Sequence, residues 1–336
     1  MTSRDLARIL GVSQSMISRA FDPAGKVTPE NRARIVQAAA DYGYRPNVIA
    51  RSLTTSRSGI VAIVMGGFDN PFYGAFLDRL ASALDAADLR SLLFRVPPGQ
   101  DVDSQLPALR QYNVDALIVA SASISSRIAE EWRNESRRIV LINRTIPGTA
   151  AATVSCDNVA GARALAELLV SSGHRRIAYV AGPEHTSTNR EREKGLIAAL
   201  MERGQVLVGR VDAGDYSFAA GHAAARACMK ARPDAIFFAN DILALGGMDC
   251  LRHDMGLRVP QDVSVVGFDD IPMAAWPSYD LTTVRQPVEQ MVDRAVAALS
   301  GPDEAAFNLS LEGALVLRGS VLAGRQESGR SSKPLC

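Results

Sequence analysis

From residue 59 onward, short apolar runs alternate with amphipathic stretches, and few folds accept that order. The runs "GIVAIVM", "RSLLFRV", "VDALIVA" and "RRIVLIN" read as strands, with helices expected over 71–88 and 102–112. A second series follows: helix 158–172, strand "RIAYVAG", helix 189–203, strand "QVLVGRV", helix 217–230, strand "AIFFAN", helix 241–254 and strand "VSVVGF". Strands rich in Val, Ile and Phe, alternating with helices, predict parallel sheets covered on both faces. Two such series predict two doubly wound lobes, with the polar ends of their strands facing a cleft. Those ends are "GGFDNPFY", "INRTIP", "GPEHTSTNRER", "DAGDYSF", "ANDILA" and "GFDDIP". Their mix of aromatic, amide and charged residues suits a small-molecule site.

The first 58 residues follow a different pattern. Leu6, Ala7, Ile9 and Leu10 make an apolar stripe that stops at Gly11, a residue free to take the left-handed turn. Ser13 can cap a second helix over 14–21, whose inner side is Ile17 and Phe21. A helix-turn-helix needs a small contact residue, a turn and a buried anchor, and Ala7, Gly11 and Ile17 supply them. A third helix starts at "VTPEN", with Thr28 as cap and Pro29 in the first position. Its buried face is expected at Ile35, Val36 and Ala39, and Gly43 and Pro46 end it. The segment after it, "NVIARSLTTSRSG", is either a plain linker or a short helix that orders on DNA; Leu53 is apolar within it.

Charge separates the same two regions. Residues 1–58 carry nine Lys/Arg against four Asp/Glu, a surplus of five, although the whole chain of 336 residues is only +1. A basic head on a mildly acidic body points to nucleic acid at one end. With 47% hydrophobic and 22% charged residues the composition is that of globular domains. No apolar run approaches a membrane span, and "MTSRDLARIL" lacks the order of a signal peptide. Cys156, Cys228, Cys250 and Cys336 are scattered, which fits buried thiols in a reducing cytoplasm.

The segments "RDLARILGVSQSMISRAF", "VTPENRARIVQAAADYGYRPN" and "ARSLTTSRSG" are similar to the DNA-binding head of the LacI/GalR (lactose-repressor-type) family. The likeness continues through "DNVAGARALAELLVSSGHRRIAYVAG", "FANDILALGGMDCLR" and "VPQDVSVVGFDDIPMAAWPSYDLTTVRQP", so it spans residues 2 to about 325. The resemblance implies an all-α helix-turn-helix head (1–46), a hinge helix and linker (47–58), a two-lobed, periplasmic-binding-protein-like effector and dimerisation body (59–325) and a polar tail (326–336).

It also implies roles for single residues. Gln14, Ser15 and Arg19 fall on base-reading positions, with Arg19 suited to guanine and Gln14 to adenine. Thr2, Ser13 and Ser18 fall where phosphates are held. Asn47 and Ala50 lie in the hinge, and Leu53 takes the place of the leucine that wedges into the minor groove. Two positions depart from the family pattern: Asp22 stands for the usual Asn, and Met16 for a small residue or Thr that either meets a thymine methyl or packs.

Effector contacts fall on Phe72, Tyr73, Asn143, Arg144, Arg192, Tyr216, Asn240 and Asp269. Asp270 and His174 read as structural, and the spacing to Gly195 favours Arg192 over Arg190. The implied partners are a near-palindromic double-stranded operator, a sugar or sugar derivative, and a second copy or three further copies of the chain. The implied activity is repression controlled by that small molecule.

An enzyme is not expected. The chain has no G-x-S-x-G elbow, Walker loop or G-x-G-x-x-G, and its histidines show no zinc-like spacing with the cysteines. No cofactor or metal is expected either. The rival reading is a two-lobed solute-binding protein without a DNA role. It requires a signal peptide and no helix-turn-helix, and both requirements go against it.

Overall fold

Thr2 and Asp5 start the first helix by capping one another. The Thr2 hydroxyl accepts from the Asp5 amide at 3.2 Å, and the Asp5 carboxylate accepts from the Thr2 amide at 3.0 Å. Helix α1 (Ser3–Leu10) ends at Gly11, whose φ of 66° lies in the left-handed region open to glycine. Ser13 caps α2 (Gln14–Ala20) by accepting from the Met16 amide, and Thr28 caps α3 (Pro29–Asp41) from the Asn31 amide. The computed structural model describes residues 1–22, 25–45, 58–66, 68–97, 100, 102–120, 124–135, 137–146, 149, 151–300 and 307–322.

Leu6, Ala7, Ile17, Ala20, Ile35, Ala38 and Ala39 form the core of the head. Two apolar positions read as inward face solvent instead: Ile9 and Val36 are each 45% exposed. On α3 the buried face passes through Ala38, three and four residues being the spacings that share a helix face. Two arginines of the basic surplus work inside the head. Arg32 donates to the carbonyls of Ala20, Asp22 and Gly25, and Arg34 to that of Leu10, so both satisfy orphan carbonyls near the ends of α1 and α2.

The chain divides into two compact units, Met1–Ile60 with Ala108–Asp115 and Val61–Pro107 with Ala116–Cys336. In the first, the Asp115 carboxylate accepts from the amides of Ser58 at 2.9 Å and Gly59 at 2.8 Å.

The second unit carries the alternating series. The series comprises β1 (Ile60–Met65), α4 (Pro71–Ala86), β2 (Arg90–Arg95), a 3-10 turn (Val102–Gln105) leading into α5 (Leu106–Gln111), whose part from Ala108 onward falls in the first unit, β3 (Ala116–Ala120), α6 (Ser126–Asn134) and β4 (Arg138–Ile142). Then come β5 (Ala152–Cys156), α7 (Asn158–Ser171), β6 (Ile177–Ala181), α8 (Ser187–Glu202), β7 (Gly209–Asp212), α9 (Phe218–Cys228), β8 (Ala235–Phe238) and α10 (Asp241–Asp249). The last are β9 (Ser264–Val266), β10 (Thr283–Arg285), α11 (Val288–Ser300), β11 (Asn308–Leu311) and β12 (Ala314–Val316).

One sheet runs β11-β5-β4-β3-β1-β2, a second runs β7-β6-β8-β9, and β10 and β12 form an antiparallel ribbon. Parallel register is explicit in Val61↔Ala116, Ala116↔Arg138, Val140↔Ala152 and Asn308↔Thr153 of the first sheet. In the second it is explicit in Ile177↔Ala235, Ala178↔Gly209 and Ala235↔Ser264. These are the two doubly wound lobes expected from the alternation. The chain crosses between them three times: after β5, after β10 and after β11. Helix α11 returns to pack on β4 and β5.

Several boundaries differ from the sequence reading. The strand expected from residue 205 begins at Gly209, and the helix expected from 189 begins at Ser187, capped by Thr186. Strands β5, β10, β11 and β12 and helix α11 had no counterpart in the expected series. The helix expected over 241–254 is α-helical to Asp249 and then widens into a π turn over Cys250–Asp254. Cys156, Cys228 and Cys250 are buried free thiols, as expected.

Candidate functional site

On the head, α2 presents two faces. Ile17 and Ala20 are buried, and Met16 is half-buried against the same core, which is its packing alternative. Gln14, Ser15, Ser18 and Arg19 are exposed. The Gln14 amide donates to the Ser3 hydroxyl at 2.9 Å, and Arg19 Nε donates to the Ser15 carbonyl at 3.2 Å. Thr2 and Ser13 are engaged as helix caps, and Ser13 Oγ also lies 2.9 Å from Ser15 Oγ. Asn47, Ala50 and Leu53 lie outside the described residues.

In the two-lobed body, β strands end in a cluster of buried polar side chains centred on Arg192. Helix α8 carries it inward, 2% exposed, with its guanidinium 3.8 Å from the centroid of the Phe268 ring. It donates to Asn158 Oδ1 at 2.9 Å, the Ala239 carbonyl at 2.7 Å and Asp269 Oδ1 at 3.1 Å. Asp269 also accepts from Gln286 Nε2 at 2.7 Å and meets Asn70 Nδ2 at 3.5 Å. Its φ of 125° is a backbone setting that non-glycine residues rarely occupy, and such strain gathers at ligand sites. Asp270 next to it is clamped by Arg285 and Arg318, each at 2.6 Å, a structural role.

Burial works against charge throughout this cluster. It opposes ionisation of Arg192, but its neighbours, the Asp269 carboxylate foremost, outweigh it and hold the guanidinium protonated. Burial raises the Asp269 carboxyl, opposed by Arg192, Gln286 and Asn70. Below it, Asp241 accepts from Thr283 Oγ1 at 2.6 Å and the Ile271 amide at 2.9 Å. Burial, then Asp269, pushes Asp241 from 3.8 up to about 7. The folded chain therefore prefers a protonated Asp241. Stability from this group is full below pH 3.8 and is lost as pH rises through about 7. Asp241→Asn, which keeps both hydrogen bonds within reach, should flatten the stability–pH curve over that window and raise neutral-pH stability. Urea titrations at several pH values measure both.

The aromatic residues sit close to these groups. Tyr73 is buried, at a T-shaped 5.2 Å from Phe72, and its phenol is raised by burial in a setting charged by Arg144, Asp269 and Arg192. Phe72 stacks on Phe76 at 6.2 Å. The Tyr216 hydroxyl approaches Thr186 Oγ1 at 3.3 Å and Thr188 Oγ1 at 3.5 Å. Its ring lies over Gly182 so closely that any Cβ there would overlap it. Gly182→Ala should push the ring aside and weaken binding of a stacked ligand by about tenfold, roughly 1.4 kcal/mol, in a calorimetric titration.

Of the seven buried side-chain polar atoms without a partner among the described residues, three belong to amides at or near these strand ends: Asn143 Oδ1, Asn189 Nδ2 and Gln286 Oε1. Such atoms are costly unless a ligand or water meets them. Asn143 ends β4 with φ 61°, another residue held in the left-handed region. Gln286 and Asp269 also line a cavity of about 460 Å³ with Phe72 and Ile271, a size suited to a small ligand. Asn240 serves differently: its Oδ1 accepts from the Leu243 amide and caps α10. Arg190 is exposed and donates to the Glu184 carbonyl at 3.2 Å.

Three members were not singled out from sequence. Asn70 and Asn158 sit at helix starts, where Asn reads as a cap, and Gln286 sits in a Gln-Pro step after β10. Only their burial beside Arg192 and Asp269 distinguishes them.

Residues 166–321 match the model of the periplasmic binding protein-like domain. Over 310 residues, 90% of each chain, the sequence is 32% identical to the HTH-type transcriptional regulator GalS of Salmonella typhimurium. Over 332 residues it is 31% identical to the HTH-type transcriptional regulator CelR of Thermobifida fusca, covering 94% of this chain and 96% of the other. The chain belongs to the LacI/GalR family of DNA-binding transcriptional regulators. Solved structures agree with this placement. A lac repressor dimer bound to operator and the anti-inducer ONPF superposes with a TM-score of 0.84 at 26% identity, covering 96% of this chain and 99% of that one. A complex of the regulator CelR with cellobiose superposes at 0.71 and 28% identity, covering 95% and 99%. These relatives are regulators, not enzymes. Among the described residues no helix of this regulator is long and apolar enough to cross a membrane.

Proposed function

We propose that this regulator is a cytoplasmic repressor that binds a near-palindromic operator as a homodimer and is controlled by a sugar or sugar derivative held between its lobes. The observation that carries the effector reading is the buried Arg192–Asp269 pair, with Gln286 donating to Asp269 while its own Oε1 is unpartnered, Phe72 beside Asp269 in the cavity wall, and Tyr73 and Tyr216 near enough to feel the pair's charge. A polyol presents hydroxyls that both donate and accept, so it can satisfy Asn143 Oδ1 and Gln286 Oε1 while accepting from Arg192. Its C–H faces stack on aromatic rings. Relatives point the same way: one regulator is seen in complex with cellobiose, and a ribose operon repressor of Escherichia coli is 27% identical over 337 residues.

On the DNA side, two copies of α2 must meet successive major grooves about 34 Å apart. Gln14, Ser15 and Arg19 are the base-reading groups of this proposal, and Ser18, Thr2 and Ser13 hold backbone phosphates. The segment 47–58 is the hinge, with Leu53 as its wedge. No chemical turnover is assigned to the body.

The test selects the DNA retained from random duplexes and then titrates the complex with sugars and sugar acids. A palindromic consensus, and one ligand that shifts operator affinity at least about tenfold, is the expected result. Retained DNA with no consensus, or a ligand that is chemically converted, overturns the proposal. Arg19→Ala should cost about 1–3 kcal/mol and relax selection at one base pair per half-site. Unchanged selectivity in the same assay removes Arg19 from the base-reading set.

A further inference from the structure

In the second lobe, helices α9 and α10 cross almost backbone to backbone. A Cβ on Gly221 would overlap the Leu243 carbonyl, and one on Gly246 would overlap that of Phe218. This crossing brings His222 beside the end of α10. There the helix widens into its π turn, closed by the Met255 amide donating to the Cys250 carbonyl at 3.1 Å. Single π turns recur at functional positions in helices. Here the wide turn sets Cys250 and Asp254 next to His222, with Nε2 of His222 3.3 Å from Oδ2 of Asp254. One ligand atom from each of the three residues lies within 4.8 Å of the others. Nothing in operator or effector binding uses them.

We propose that His222, Cys250 and Asp254 form a binding site for a zinc-type divalent ion. An imidazole nitrogen, a thiolate and a carboxylate oxygen are a zinc donor set, and three protein ligands leave a fourth, tetrahedral position for water. The sulfur disfavours magnesium and calcium, which take oxygen ligands. Cys250 is buried and forms the floor, while the His222 and Asp254 side chains, 36% and 38% exposed, give the ion an entry from solvent.

Arg226 Nη2 donates to the same Asp254 oxygen at 2.6 Å, and its side chain is 56% exposed. On metal entry this guanidinium swings out to water, the Cys250 thiol passes its proton to solvent, and sulfur, nitrogen and oxygen each give an electron pair to the ion. The metal then clips α9 to the end of α10, which no disulfide joins, Cys228 and Cys250 both being free thiols. Arg226 is thus a competitor for the site, and the buried Cys250 thiol beside His222 and Asp254 is what distinguishes this arrangement from a surface ion-pair cluster.

The experiment titrates the full-length, tag-free chain, carrying Cys336→Ser so that the tail thiol is absent, with cobalt and then zinc. Expected are one cobalt per subunit with a thiolate charge-transfer band, displacement by zinc, and a rise in unfolding temperature that a chelator reverses. Cys250→Ser and His222→Ala should each weaken affinity by at least about 100-fold, the upper end for loss of an outer-sphere partner. His222 is partly exposed, so His222→Ala reports even where Cys250→Ser does not fold. Arg226→Ala should tighten binding about two- to fivefold, the range of an exposed ion pair. Absence of the thiolate band, or a band that survives His222→Ala, overturns the site. Binding unchanged by Arg226→Ala overturns the competition.

Discussion

Arg192→Ala should cost about 3–5 kcal/mol of folding stability and abolish the effector response together. The side chain is 2% exposed, and its three hydrogen bonds tie α8 to the start of α7, the end of β8 and the Asp269 turn. Removing it leaves the Asp269 carboxylate, 5% exposed, without its cation. It also leaves the Phe268 ring beside a cavity. The cost therefore comes from the abandoned partner more than from the lost attraction. A paired replacement, Arg192→Met with Asp269→Leu, separates the two. It should recover only part of the stability, because the uncompensated buried charge is gone but Asn158 Oδ1, the Ala239 carbonyl and Gln286 Nε2 lose their partners and Leu must take a φ of 125°, and the effector response should stay absent. Urea unfolding and operator binding with and without effector measure both. If Arg192→Ala unfolds at the wild-type urea concentration, the pair is not what holds the site.

The position of that pair suggests how ligand binding reaches the lobes. Asn158 follows the first crossing between lobes and Gln286 the second, and Asp269 pairs with the strand that leads into the second. A ligand that engages Gln286 Oε1 bears on the crossing itself, so its binding energy can differ between open and closed lobes. Only such a differential shifts the balance between them.

Much of this was legible in the sequence because the signals are periodic. Strands such as Ile177–Ala181 and Ala235–Phe238 are buried on both faces, and continuous Val, Ile and Phe runs announce that. Strand β5 hid because Thr153 and Ser155 are polar, yet both are buried. Helix α11 has apolar residues at 288, 291, 292 and 295, a clear helical face, but its return to the first lobe reverses the simple order. At the site, charged and aromatic strand ends were readable as candidate ligand groups. Asn70, Asn158 and Gln286 were not, since an amide at a helix start or before proline has an ordinary local explanation. Their second role depends on three segments far apart in the chain meeting around one guanidinium.

The helix proposed to read DNA depends on a much smaller core, and Ile17→Ala should remove operator binding altogether. Ile17 is fully buried among Leu6, Ala7, Ala20, Ile35, Ala38 and Ala39. Truncating a buried isoleucine costs about 2–5 kcal/mol. A core of this size rarely supplies more than about 3–5 kcal/mol in total. The substitution thus takes most of what holds α1, α2 and α3 together, and α2 loses the scaffold that aims Gln14, Ser15 and Arg19. The two-lobed body has its own core, so effector binding and the ligand-induced rise in its unfolding temperature should be unchanged. Val36→Ala is the matched control. At 45% exposure Val36 should cost less than about 0.5 kcal/mol and leave operator affinity intact. Equal losses from the two substitutions would place Val36 in the core after all, whereas a loss confined to Ile17→Ala assigns the recognition helix its buried anchor.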